Sequence, residues 1–135
     1  MKVFVTGHLG FIGTHLVDLL KQEGHSVVGC DLNLFEGCNW EPMVKPDREL
    51  VKDVRKVEAN DLDGCDCVMH LAAISNDPMG ALNAQTTFGV NRDASIRLAR
   101  LPSKHAFRAT CLLEAAPFTA REKSSTLTRM THSTR

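Results

Sequence analysis

Three glycines, Gly7, Gly10 and Gly13, stand at equal spacing in the run Thr6-Gly7-His8-Leu9-Gly10-Phe11-Ile12-Gly13. The chemistry open to such a run is anion binding by the backbone. Gly7 permits main-chain angles that other residues avoid as the chain leaves a strand. Gly10 leaves N–H groups open to the close approach of a diphosphate, and Gly13 lets the following helix pack tightly on the strand. A helix N-terminus adds positive potential of about half an elementary charge. A merely tight strand–helix turn is the alternative, but the glycines lie directly after an apolar run and before an amphipathic one, which favours the diphosphate. Asp31 follows Gly13 by 18 residues. A carboxylate there accepts hydrogen bonds from ribose hydroxyls and repels a 2′-phosphate. Leu32-Asn33-Leu34 comes next, with no Lys or Arg to hold such a phosphate. The two features together point to NAD rather than NADP; an exposed turn is the bland alternative for Asp31.

The elements that must position these residues alternate between strand and helix. Lys2–Thr6 is short and β-branched, which predicts a buried strand. Phe11, Ile12, His15, Leu16, Leu19 and Leu20 recur at helical spacing before Gly24. Ser26–Cys30 predicts a second strand ending at Asp31, and Gly37, Pro42 and Pro46 mark a loop. Glu49–Lys52 is expected to be a third strand, Lys56–Leu62 a short polar helix closed by Gly64, and Cys67–Ala73 a fourth strand. Phe88, Asn91, Ala94, Ser95, Leu98 and Leu101 form one stripe of a long helix over Ala84–Leu101. Apolar strands alternating with helices imply a parallel sheet covered on both faces.

Composition narrows the function classes. The chain has 135 residues, 43% of them hydrophobic and 24% charged, which fits one soluble globular domain. Its formal net charge of +0 gives bulk electrostatic binding of nucleic acid no support. No run nears the ~18 apolar residues of a membrane span, and the apolar stretch after Met1-Lys2 ends at Thr6, too soon for a signal peptide. Five cysteines, an odd number, do not suggest a disulfide framework, so a reducing, cytoplasmic location is expected. Cys65 and Cys67 lack partners at metal-site spacing, and no metal site is expected. A compositional break falls near Leu101-Pro102. Residues 1–100 carry 10 basic and 14 acidic side chains, and residues 101–135 carry 6 and 2. All 9 glycines precede residue 90. The tail is expected to be irregular, with a helix of under two turns possible over Cys111-Leu112-Leu113-Glu114-Ala115-Ala116 and disorder over 119–135.

Residues 1–101 resemble the extended short-chain dehydrogenase/reductase family, especially its NAD-dependent sugar-nucleotide epimerases and dehydratases. Four motifs occur in family order: the Thr6–Gly13 turn, Asp31 with Asn33, Asp53-Val54, and His70-Leu71-Ala72-Ala73, followed by Val90-Asn91 on a helix. The resemblance implies a Rossmann-type, doubly wound parallel α/β sheet, here its N-terminal half in the order 3-2-1-4 with an irregular C-terminal tail. It implies NAD as cofactor, held by Gly7, Gly10, Phe11, Ile12, Gly13, Asp31, Asn33, Asp53, Val54, Leu71, Ala72, Ala73 and Asn91. Asp53 would take the adenine amine and Val54 the ring. The residues themselves leave alternatives open. Asp53 could cap a helix, His70 could be a packed strand residue, Ala72 and Ala73 could be small for ordinary packing, and Asn91 could cap a neighbouring strand's carbonyl. Ser75-Asn76-Asp77-Pro78 could face substrate or be a solvated turn.

The family's chemistry is hydride transfer assisted by a Tyr-x-x-x-Lys pair and a Ser or Thr at the end of the fifth strand. This chain contains 0 Tyr. Pro102-Ser103-Lys104-His105-Ala106-Phe107-Arg108 stands where the fifth strand should begin, and no catalytic residue is assigned. A change of reading frame, or a rearranged gene end, after about Leu101 is one expectation. The fourth strand would then become an exposed edge prone to aggregation. The resemblance also implies nucleotide sugars as partners of full-length relatives, and homodimers built on the long helix and the Tyr-bearing helix; without the latter the dimer is left open. The function expected is the NAD-binding portion of a nucleotide-sugar epimerase or dehydratase, catalytically incomplete as this chain. A reductase of a non-sugar substrate and a non-enzymatic, truncated dinucleotide-binding fragment are the alternatives.

Overall fold

A computed structural model describes residues 1–38, 42–75, 77–101 and 109–112. The strands are β1 (Lys2–Thr6), β2 (Ser26–Asp31), β3 (Arg48–Val51), β4 (Cys67–His70) and β5 (Ala109–Leu112). The helices are α1 (Phe11–Gln22), α2 (Asp77–Leu82), α3 (Ala84–Phe88) and α4 (Ala94–Arg100), with a π turn over Gly89–Asp93 and 3-10 turns over Val54–Lys56 and Ala59–Leu62. All strand pairs are parallel, and the sheet order is β3-β2-β1-β4-β5. The expected order 3-2-1-4 is present, with one strand added.

Side-chain alternation in β1 divides the core. Phe4 joins Val28, Cys30, Val57, Leu62, Cys65, Val68 and Leu98 on one face of the sheet. Val3 and Val5 join Val17, Leu20 and Val27 on the other. Successive strand residues point to opposite faces, so α1 covers one side while α4 and the 3-10 turns cover the other. The resulting three layers suit parallel strands whose two faces are both apolar.

Several expectations are corrected. The long helix is divided by the π turn, whose extra residue shifts the phase ahead of it. Ala94 and Leu98 are buried as expected, but Phe88 is exposed. On α1 the buried residues are Gly13, Val17 and Leu20. Phe11, 83% exposed, and Ile12 and Leu19 face outward, because the helix packs inward through its glycine. The polar helix over Lys56–Leu62 is two separate 3-10 turns. β4 stops at His70, since β1 ends at Thr6 and the chain turns away at Gly7 with φ 71°. Ala109–Leu112 is a strand and neither irregular nor helical, and it pairs with Cys67–His70 in register. β4 is therefore no open edge, and Val68 is 1% exposed. The expectations for 102–108 and for 119–135, together with Trp40 and Asn76, fall outside the described residues.

Candidate functional site

The residues singled out above gather at the carboxyl ends of the strands. β1 delivers Gly7, β2 delivers Asp31, and β4 delivers the segment Leu71–Ile74. Connections leave β1 toward β2 on one side, while β4 lies on the other. Ligands of open α/β sheets bind where the strand order reverses in this way.

Each glycine of the first turn has its own reason. Gly7 has φ 71°, and its N–H donates to the Cys30 carbonyl at 2.8 Å. A Cβ there would stand 2.8 Å from Ala72 N, so the turn and the β4 exit segment touch backbone to backbone. A Cβ on Gly13 would fall 2.1 Å from the Gly7 carbonyl oxygen and 2.7 Å from His8 Cα. Only a glycine lets α1 begin so close to the strand. Gly10 differs. A Cβ on it would meet only the Gly7 carbonyl oxygen among the described residues, at 3.3 Å. That face is open to a ligand. Gly10 caps α1 without a side chain, and no acidic residue lies in the first turn. The first intrahelical bond runs from Thr14 N–H to the Gly10 carbonyl at 2.9 Å. The N–H groups of Phe11, Ile12 and Gly13 precede it and remain available for an anion.

Asp31 is built into the same turn. Its Oδ2 accepts from Leu9 N–H at 3.2 Å and its Oδ1 from Asn33 N–H at 3.0 Å. Asn33 takes φ 54°, which sends the chain sharply away from the strand end. The carboxylate is thus aimed beside the glycine turn and keeps lone pairs for a diol. This donor and acceptor set fits a dinucleotide: open N–H groups for the diphosphate and a carboxylate for the ribose.

Asp53 has the capping role. It accepts from Arg55 N–H at 2.8 Å and from the Arg55 guanidinium through both oxygens, the shortest contact being 2.5 Å. That guanidinium holds its carboxyl below the usual carboxylate range. Val54 beside it is buried. Asn91 likewise acts on backbone. Its Oδ1 accepts from Ile74 N–H at 2.8 Å and its Nδ2 donates to the Ile74 carbonyl at 2.9 Å. Both ends of the amide grip the segment that carries Leu71, Ala72 and Ala73, so Asn91 shapes that wall.

Two polar residues of the site were not anticipated as such. Thr6 Oγ1 accepts from the N–H groups of Leu71 and Ala72, each at 3.2 Å, and ties β1 to the β4 exit. His8, within the glycine turn, is 2% exposed. Its Nε2 bonds Glu49 Oε1 at 2.9 Å on β3. The ring lies over Gly29, where a Cβ would come within 2.6 Å of it. Gly29 in the middle of a strand was the available signal, because such a glycine marks a close approach.

Comparison with known proteins agrees with this geometry. The model of the "NAD dependent epimerase/dehydratase family" matches residues 3–122. That match runs past Leu101 and takes in β5. A curated relative, "Uncharacterized UDP-glucose epimerase YtcB" of Bacillus subtilis (strain 168), is 34% identical over 85 residues, covering 55% of this chain and 27% of its own. Among solved structures, UDP-N-acetylglucosamine 4-epimerase from Methanobrevibacter ruminantium M1, in complex with UDP-N-acetylmuramic acid, is 33% identical with a TM-score of 0.62. It covers 73% of this chain and 32% of its own. MoeE5 in complex with UDP-glucose and NAD is 30% identical with a TM-score of 0.60, covering 73% and 31%. This chain spans about a third or less of the length of these proteins. With the glycine turn, the acid after β2 and the parallel strand order all in place, the match over most of its length means that the chain belongs to the NAD dependent epimerase/dehydratase family.

Proposed function

We propose that this chain is the NAD-binding portion of a nucleotide-sugar epimerase or dehydratase and performs no turnover by itself. The observation that carries the reading is the joint construction of the glycine turn and Asp31. The carboxylate accepts from Leu9 N–H inside the turn, so the diphosphate cradle and the ribose acceptor hold each other in place. In this reading the N–H groups at the start of α1 bind the diphosphate, Asp31 binds the ribose, and the backbone at Val54 lies against the adenine. Asp53, held by Arg55, positions that backbone and offers the adenine amine only its remaining lone pairs. Leu71–Ala73 form the wall toward the nicotinamide. When bound, the cofactor supplies a hydride acceptor. Nucleotide sugars are the proposed substrate class because the relative is named a UDP-glucose epimerase and the solved neighbours hold UDP-linked ligands.

Among the described residues no side chain is assigned as general acid–base for the sugar. It has 0 Tyr. The two ring nitrogens of His70 are committed to Thr6 and Ser95. Burial pushes the Cys30 thiol up to about 12, which leaves it unreactive. The proposal places the dinucleotide-binding half-domain at residues 1–101. A change of reading frame directly after Leu101 does not sit with a family match that continues to residue 122 and takes in β5; the chain is placed in the cytoplasm. Among the described residues no helix is long and apolar enough to cross a membrane. Isothermal titration with NAD beside a coupled epimerase assay tests the reading. Saturable heat with no turnover is expected. Turnover by the purified chain, or no heat from a folded sample, would overturn it.

A further inference from the structure

Behind the site runs a chain of buried and half-buried hydrogen bonds. Thr6 Oγ1 meets His70 Nδ1 at 2.6 Å, His70 Nε2 meets Ser95 Oγ at 3.0 Å, and Ser95 Oγ donates to the Asn91 carbonyl at 2.6 Å. The proton directions follow from counting. Thr6 Oγ1 already accepts from two N–H groups, those of Leu71 and Ala72. The Leu71 N–H is shared with the Thr6 carbonyl at 3.1 Å, and the hydroxyl proton of Thr6 is the one left to give to His70 Nδ1. Ser95 has spent its proton on Asn91, so His70 Nε2 must be the donor. One arrangement satisfies every atom: neutral His70 with its proton on Nε2.

We infer that neutral His70 is a positioning residue that locks together the two walls of the dinucleotide site, and that protonating it releases them. A proton on Nδ1 would face the Thr6 hydroxyl. Thr6 would have to turn that hydroxyl away and loosen its hold on the N–H groups of Leu71 and Ala72, the first of which also has the Thr6 carbonyl at 3.1 Å. Ala72 is the residue whose backbone touches Gly7, so the disturbance reaches the diphosphate turn directly. On the far side, the Ser95 bond ties the same event to the π turn and to Asn91, which grips Ile74.

The surroundings suit a group that works neutral. His70 is 4% exposed, and desolvation by burial holds its pKa below the ordinary imidazole range. The groups that bond its ring from β1 and α4, Thr6 and Ser95, are uncharged. The charged residues of the nearby helical segment are engaged elsewhere: Arg92 with Asp93, and Arg97 with the Arg55 carbonyl.

The functional consequence rests on the NAD reading, and the experiment separates the two. Nitrogen-15 NMR of the full chain reports the His70 tautomer without any ligand. Neutral Nε2–H is expected at neutral pH, and an Nδ1–H or charged ring would overturn the inference. Hydrogen exchange at the Ala72 amide is expected to speed up as His70 titrates; unchanged protection across that titration would contradict it. Titration calorimetry with NAD from about pH 8 to about pH 5 then compares the parent with His70→Gln, whose amide offers an uncharged donor and acceptor. The parent is expected to lose affinity about tenfold per pH unit below the His70 titration, and the variant to lose that slope. Equal slopes in both would assign the effect to another group and overturn the inference. If NAD binds neither protein, the function reading fails while the tautomer and exchange results still judge the lock. They also decide the matter if the variant does not fold.

Discussion

Alanine at Gly10 should separate binding from folding. Gly10 has φ −73° and ψ 168°, an extended conformation open to alanine. The added methyl would meet the Gly7 oxygen at 3.3 Å, a contact relieved by a few tenths of an ångström. Losing glycine's unfolded-state entropy gains about 0.4–1 kcal/mol, and alanine is a poorer N-cap by a similar amount. Stability should therefore stay within about 1 kcal/mol of the parent. Binding should not, because the methyl projects onto the face where the diphosphate is proposed to sit. Losing one charge-assisted hydrogen bond costs about 1.5–3 kcal/mol, or roughly a 10- to 100-fold rise in Kd. Gly13→Ala is the counterpart. Its methyl would lie 2.1 Å from Gly7 O and 2.7 Å from His8 Cα, both backbone atoms that cannot swing aside. Overpacking costs about 1–3 kcal/mol, against a helix-propensity gain of about 1 kcal/mol. The net loss should lower Tm by roughly 5 °C. Thermal melts and calorimetry with NAD on both variants check this. A folded Gly10→Ala chain that binds NAD like the parent would refute the placement of the diphosphate. A Gly10→Ala chain that melts like Gly13→Ala would refute the steric reasoning.

Other expectations are narrower. Asp31→Ala should weaken NAD at least about tenfold and bring NAD and NADP affinities closer together, because the ribose acceptor and the anchor of Leu9 are lost at once; calorimetry with both dinucleotides reads this. Asn91→Ala strips partners from both polar groups of Ile74 and should cost about 1–3 kcal/mol, with faster hydrogen exchange at that amide. Asp47, held by Lys21 at 2.5 Å and by Val27 N–H at 2.7 Å, has its pKa lowered to about 2. A depressed carboxylate pKa contributes stability that is complete above the unfolded value near ~4 and fades as pH falls toward the folded one. Melts between about pH 4 and pH 2 should therefore fall more steeply for the parent than for Asp47→Asn. The effect should be small because the pair is half exposed to solvent.

What could be read from the residues was the part that local chemistry dictates. β1 and β2 are runs of apolar, mostly β-branched residues bounded by glycine or polar residues, and each lies within a residue of its expected place. The glycine turn was legible because its constraint is steric and local. The face of α1 was not. Its periodicity suggested Phe11 and Leu19 as core, but the helix seats itself through Gly13, whose missing side chain carries no hydrophobic signal. β5 escaped for a related reason. Ala109-Thr110-Cys111-Leu112 has little strand character of its own, and its pairing is set by the bare edge that β4 would otherwise present. His8 and Thr6 were hidden because their roles depend on partners 41 and 65 residues away in sequence. Asp53 was open to a capping role and takes it; Asn91 holds both the N–H and the carbonyl of Ile74, beyond the end of β4, where a cap on a strand carbonyl was the expectation.

A nitrogen–proton correlation NMR titration of the full chain with NAD tests the central claim most directly. The account predicts saturable shifts at the amides of Gly10, Phe11, Ile12 and Gly13, joined by Leu9 and Asn33, which report on the Asp31 carboxylate. Saturation that leaves those amides unmoved, or a folded chain whose spectrum NAD does not change at all, would contradict it.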